Sequence, residues 1–179
     1  MTLPFERNQH GHYIVTFTGL GLTGAQEIAR QESLGNNLGK YFKQCLMSTA
    51  NDSYDRNHRL EQGKLYTVAL MPTVEIERDE DRTTGNLRNR GLSLYGYGKP
   101  LAGIVPRIRE EVSDEQMEKM DGAWYIAAPH NLVKDSDGGS VALNANRNVG
   151  GRWLGTHYAF LGSRWFGGGL FAFAVSQKD

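Results

Sequence analysis

A chain of 179 residues with 39% apolar and 22% charged side chains is long enough to bury one core without covalent staples, and 22 glycines mark it as loop-rich. Its net charge of zero excludes a general polyanion binder, so no nucleic-acid partner is expected, and excludes an acidic solvating domain as well. Cys45 stands alone and excludes an internal disulfide, while the absence of an apolar leader or a run of about twenty apolar residues predicts neither a secretion signal nor a membrane span; cytosol or a virus particle released by lysis are the compatible settings.

His12 to Thr18, HYIVTFT, is β-branched and aromatic and predicts an opening strand. After a turn through Gly19 and Gly21, Thr23 and Gln26 have capping-box spacing, which predicts a helix from Gly24 to Leu34 with Ile28 and Ala25 or Ala29 toward the core. A second short helix is expected over Leu38 to Met47, a polar loop over Ser48 to Arg59, and a strand over Lys64 to Met71 that Pro72 stops. Thr83 is placed to cap a helix through Asn89, weakened by Gly85 and Gly91. Pro106 suits the first position of a helix through Val112, and Ser113 with Gln116 repeats the capping box for a helix to Met120. Ala123 to Ala128 predicts a strand, Lys134 to Gly139 a turn, and Val141 to Leu143 the start of a hairpin. Phe171 to Val175 predicts a closing strand. One domain covers 1–179, with strands at both ends that are expected to pair.

Chemistry-bearing residues are sparse. Cys45 with His58 is the candidate nucleophile and base of a small hydrolase or transferase, but its neighbours Phe42, Leu46 and Met47 favour a buried structural thiol. His10 and His12 would share one face of a strand; with no third ligand nearby, a solvated strand edge is expected rather than a metal site. Asp135-Ser136-Asp137-Gly138-Gly139 resembles the start of a calcium loop but has Asn146 where the closing glutamate belongs, so it reads as a turn. Gly19-x-Gly21-x-x-Gly24 matches a dinucleotide turn, yet no second strand ending in Asp or Glu follows at the required distance. Arg82, Arg88 and Arg90 follow Glu75, Glu77, Asp79, Glu80 and Asp81, and read as a solvated mixed-charge face. No catalytic residue, metal or cofactor is therefore assigned.

The final stretch, Gly150 to Gln177, reads GGRWLGTHYAFLGSRWFGGGLFAFAVSQ. Gly138 to Ser176 contains no Asp, Glu or Lys, and only Arg147, Arg152 and Arg164 as formal charges. Arg, His, Tyr and Trp spaced by Gly, Ser and Asn suit a contact surface. A Gly-rich hairpin with its tryptophans in the core is the plainer reading of the same composition.

The pattern G-x-W-L, a polar and aromatic interval, a second Trp, a glycine run and FAFAVSQ resembles the variable region of target proteins of diversity-generating retroelements. In that family, error-prone copying at template adenines converts asparagine codons into a restricted set that excludes Lys, Glu, Gln, Met and Trp. Between Gly138 and Ser176 only Trp153 and Trp165 fall outside that set; the resemblance makes them scaffold, together with Phe171 and Phe173. It implies an α+β, C-type lectin-like fold in which N- and C-terminal strands pair and two or more helices pack on a small twisted antiparallel sheet, with an insertion over about 38–98 and a variable region over about 150–177. It also implies a non-enzymatic protein that binds a protein or cell-surface ligand through His157, Tyr158, Phe160, Leu161, Ser163, Arg164 and Phe166. Arg152, Leu154, Thr156, Ala159, Gly162 and Leu170 are further variable positions, and the glycines at 167–169 either shape the loop or vary. The alternatives are the Cys45–His58 enzyme and a virion or assembly subunit that uses its Gly-aromatic terminus as a contact. The ligand and the oligomeric state stay open.

Overall fold

The computed structural model describes residues 5–49, 53–134 and 138–176. β1 (Tyr13–Thr18) buries Val15 and Phe17 and exposes Thr16 and Thr18, the alternation of an edge strand. α1 (Gly24–Ser33) starts at the expected capping box: Gln26 N–H donates to Thr23 Oγ1 at 3.2 Å and Thr23 N–H to Gln26 Oε1 at 2.9 Å. Ile28 packs against the core as expected, but Ala25 and Ala29 are exposed while Glu27 and Gln31 are buried. Arg107 explains the inversion by pairing with Glu27 across the helix interface.

β2 (Asn37–Leu38) leads into α2 (Lys40–Met47), which buries Phe42, Cys45 and Leu46; α3 (Tyr54–Asn57) lies in the stretch expected to be loop. β3 (Leu65–Pro72) buries Val68, Ala69, Leu70 and Met71 in succession, as a strand covered on both faces must. α4 (Thr84–Asn89) is capped by Thr83 as expected and continues as a π-helical turn over Arg90–Leu94. α5 (Ile104–Glu111) begins two residues before Pro106, which still falls in the first turn, where a missing N–H leaves no intrahelical bond unmade. α6 (Asp114–Lys119) carries the second capping box. Five strands complete the set: β4 (Tyr125–Ala127), β5 (Val133–Lys134), β6 (Ser140–Asn148), β7 (Gly151–Tyr158) and β8 (Gly169–Ala174). Asp135, Ser136 and Asp137 of the calcium-like turn lie outside the described residues. Among those described, no helix is long and apolar enough to cross a membrane.

The strands form an eight-stranded mixed sheet in the order β1-β3-β8-β4-β6-β7-β2, with β5 on β6. The α+β class stands, but two finer expectations are corrected. The terminal strands do not pair: β3 lies between them, antiparallel to both, with Val15 opposite Val68 and Phe173 opposite Ala69. The reason is burial, since the continuous apolar run of β3 needs cover on both faces and alternating β1 does not. Nor is the sheet wholly antiparallel, because β4 runs parallel to β8 and β2 to β7. β3 comes from the 38–98 stretch that the resemblance would set aside as an insertion.

Two cores result from the strand alternation. One face, with Val15, Val68, Leu70, Ile126, Leu143 and Leu154, packs with Phe42 and Leu46 of α2 and Ile104, Val105 and Ile108 of α5. The other holds Met71, Tyr125, Phe171 and Phe173, covered by Leu87 of α4 and by Trp165. Gly91 lets the π turn lie flat on β8, for a Cβ there would sit 2.2 Å from the Phe173 ring. Toward β6 and β7 this second face is left open.

Candidate binding site

The open part of the second face is a pocket of about 490 Å³. Its aromatic walls come from Trp124 and Tyr125 at the start of β4 and from Trp165 and Phe166 in the loop between β7 and β8. Its floor is polar. Asn144 and Asn146 project from alternate positions of β6, with Asn146 Nδ2 donating to Asn144 Oδ1 at 2.7 Å. Gly155, opposite Asn144 on β7, keeps the floor open, since a Cβ would come within 3.2 Å of Asn146 Nδ2. Arg147 stacks its guanidinium 4.0 Å over the Trp124 ring and donates from Nε to Ala123 O at 2.7 Å. His157 lies 4.2 Å from Trp165, ring centre to ring centre, and its Nε2–H donates to Arg164 O at 3.3 Å.

The walls are fixed from behind. Trp165 Nε1 donates to Thr84 Oγ1 at 2.8 Å, and Tyr125 Oη donates to Phe166 O at 2.7 Å. Burial pushes the Tyr125 hydroxyl up to about 12, so it stays a neutral donor. The loop main chain is clamped as well: Thr84 N–H donates to Ser163 O, Gly85 N–H to Leu161 O, Trp165 N–H to Arg82 O and Ala159 N–H to Ser140 O, each at 2.9–3.0 Å. Arg82 anchors the receiving segment. It is buried, and donates to the carbonyls of Thr73, Ile76 and Glu77 and to the Asp79 carboxylate.

The proposed contact residues divide into groups. Tyr158, Phe160, Leu161 and Phe166 are 54%, 53%, 67% and 59% exposed, and Gly162 and Arg164 are exposed too. Thr156 and His157 are half-buried pocket residues, and Ser163 is half-buried with its carbonyl held by Thr84. Strand alternation sends Trp153, Gly155 and His157 to the pocket side and Arg152, Leu154 and Tyr158 to the helix side, while Thr156 borders hollows on both. Arg152 is tied to Arg109 O. Tyr158 and Thr156 border a second hollow of about 230 Å³ with Tyr41 of α2. Three positions are corrected: Leu154, Ala159 and Leu170 are buried, as side chains of the two cores, and present nothing to a ligand. Of the scaffold residues, Trp165, Phe171 and Phe173 are buried and Trp153 is half-buried. The glycines shape the loop, because a Cβ on Gly169 would lie 1.9 Å from the Tyr125 ring and one on Gly167 2.8 Å from Val74.

Trp124, Asn144, Asn146 and Arg147 were not singled out as site residues by the sequence. The i, i+2 spacing of the asparagines on a strand was the available signal.

The remaining motifs do not line this pocket. Cys45 is wholly buried beside Phe42 and Leu46, and His58 Nδ1 accepts the Ala102 N–H at 3.1 Å. His12 is not on a solvated edge: it is buried, accepts from Tyr97 Oη at 2.7 Å and donates to Glu75 Oε2 at 2.7 Å. Among the described residues no group of three or more His, Cys, Asp or Glu could hold a metal ion. The dinucleotide-like turn joins β1 to α1, but the next long strand, β3, runs antiparallel to β1 where a dinucleotide fold needs a parallel one; a Cβ on Gly24 would meet Leu46 O at 1.9 Å, and Asp55 Oδ1 accepts the Gly24 N–H at 2.7 Å where a phosphate would sit. The mixed-charge face is largely tied down, since Arg88 donates to His130 O at 3.2 Å and Arg90 pairs with Glu75 at 3.3 Å. Comparison with known proteins gives no matching family model, no matching curated protein and no matching solved structure.

Proposed function

We propose that this is a non-enzymatic binding protein, on a C-type lectin-like scaffold, whose surface around the end of β7 and the 159–166 loop recognises a protein or other surface ligand and is diversified by a retroelement. The observation that carries the reading is how the loop is held. Tyr158, Phe160, Leu161, Arg164 and Phe166 point outward, while the loop is fixed by main-chain bonds and by Trp165. Main-chain clamps do not depend on which side chain is displayed, so residues can change without loss of the core. Several outward aromatics together supply contact area at small entropic cost.

Sequencing the 3′ end of the gene across the source population tests the diversification. Codon variation concentrated at Thr156 to Phe166, with Trp153 and Trp165 constant and an imperfect repeat downstream, is the expected result. A uniform sequence with no repeat overturns it. For the surface itself, combined replacement of Tyr158, Phe160 and Arg164 by Ala is expected to shift Tm by less than about 2 °C, as for exposed sites away from caps and cores. Unfolding of that variant at room temperature would place these side chains in the fold rather than at a binding surface.

A further inference from the structure

The pocket has a charge and donor pattern that selects among ligands. Its ionisable lining groups are Arg147, His157 and the neutral Tyr125 hydroxyl, and no carboxylate lines it. The chain from Gly138 to Ser176, which supplies most of the lining, has no Asp or Glu at all. A ligand cation would therefore face Arg147 without a counter-charge, whereas an anion would be paired.

Arg147 is prepared for that role. Stacking on Trp124 and bonds from Nε to Ala123 O and from Nη2 to Gly122 O fix its plane, and Nη1 has no partner among the described residues. A guanidinium already ordered in this way loses little freedom on meeting a carboxylate. Asn144 Nδ2 likewise keeps its protons available, because the amide pair uses only Asn144 Oδ1 and one N–H of Asn146. Around these donors stand the faces and edges of Trp124, Tyr125, Trp165 and Phe166, a setting for a flat ring.

We propose that the pocket takes an aromatic carboxylate, its ring against the aromatic walls and its carboxylate on Arg147 and the Asn144 amide. This rests on reading the open face as a binding surface, and it names the chemistry that the face anchors. Arg147, Trp124 and Asn144 precede the segment proposed to vary, so the anchor would be common to every variant while the 156–166 side chains set the remainder of the specificity.

Titration of the intact protein, followed by tryptophan fluorescence, tests this with probes matched in ring and chain length: phenylacetate, phenylacetamide and phenethylamine. Phenylacetate is expected to bind in the millimolar range usual for so small a ligand, about tenfold or more tighter than phenethylamine, with the amide between them. Arg147→Gln should bring phenylacetate down to the level of phenylacetamide. Gly155→Val, which fills the floor and leaves Arg147 in place, should abolish binding of all three. N-acetylphenylalanine separates two sources of the same chemistry: binding at least as tight as phenylacetate indicates a peptide C terminus, weaker binding a free aryl acid. Equal affinity for phenylacetate and phenethylamine, no binding of phenylacetate at tens of millimolar, or a charge preference that survives in Arg147→Gln would each overturn the proposal. None of these outcomes bears on whether the codons at 156–166 vary, so the two readings fail separately.

Discussion

At the scale of single residues, the site depends on where side chains are missing as much as on where they are present. Gly169 and Gly162 lie a few positions apart in one Gly-rich stretch, yet a Cβ on Gly169 would lie 1.9 Å from the Tyr125 ring while one on Gly162 has nothing within 4 Å. Gly169→Ala must displace a buried aromatic that holds the Phe166 carbonyl, so urea unfolding should show a loss of about 1–3 kcal/mol, the usual range for overpacking. Gly162→Ala should stay within about 0.5 kcal/mol of the parent. Equal tolerance of the two would mean that Tyr125 does not lock the loop. The same local geometry limits what composition could say about the site. Leu154, Ala159 and Leu170 belong to the residue set of a variable surface, but their burial is decided by strand register, which a list of residue types does not contain. Phe160, Leu161 and Phe166 fall on exposed loop positions, where residue type and geometry agree.

At the scale of elements, local chemistry was legible and partnership was not. Both capping boxes and the Thr83 cap occur where spacing places them, because a cap is satisfied within four residues of itself. β1, β3, β4 and β8 were readable from their apolar runs, whereas β2 and β5, two residues each, exist only because β7 and β6 offer them an edge. The central position of β3 was written in its unbroken apolar run, against the alternation of β1, and weighing the two would have argued against pairing the termini. The buried face of α1 was legible at Ile28, which packs on the core, but nothing local marks Glu27 and Gln31 as interior. They are interior because Arg107 of α5 meets Glu27 with both side chains about 5% exposed or less, and Glu110 joins the pair at 2.8 Å. Burial raises the Glu27 pKa although Arg107 opposes the shift. Arg107→Met leaves that carboxylate uncompensated and should cost about 3–5 kcal/mol by urea unfolding, while adding Glu27→Met should recover much of the loss. A double variant as unstable as the single one would show that shape at the α1–α5 contact, and not the charge, sets the cost.

At the scale of the whole molecule, His130 and Glu75 link the sheet and helices to pH in one direction, while Glu27, whose pKa burial raises, opposes them by favouring the folded state as pH falls. His130 is completely buried; its Nε2 accepts the Leu143 N–H of β6 at 3.0 Å and its Nδ1–H donates to Asn131 O at 2.6 Å. Burial, helped by the neighbouring His58, drives its pKa from the ordinary 6.5 to about 3. The unfolded chain therefore takes up this proton first, so the stability is fully present above about pH 6.5 and is lost progressively as pH falls toward 3. Glu75 acts in the same sense at lower pH. Burial disfavours its charge, but bonds from His12 and Tyr95 outweigh that and hold its pKa below 4.5, so its contribution disappears as the carboxylate is protonated in the folded state. The His130 contribution to the unfolding free energy should be nearly flat above neutrality and then decline below pH 6.5 with a slope approaching about 1.4 kcal/mol per pH unit, the value for one proton, and Glu27 reduces the net slope where it takes up its own proton. In His130→Gln the decline should begin only near the carboxylate range, because the amide can accept from Leu143 without titrating. Denaturant unfolding at intervals between about pH 8 and 4 measures both curves. A parent protein equally stable at pH 7 and pH 5 would mean that His130 exchanges protons with solvent in the folded state, and that the packing between β6 and the Asn131 turn is open to water.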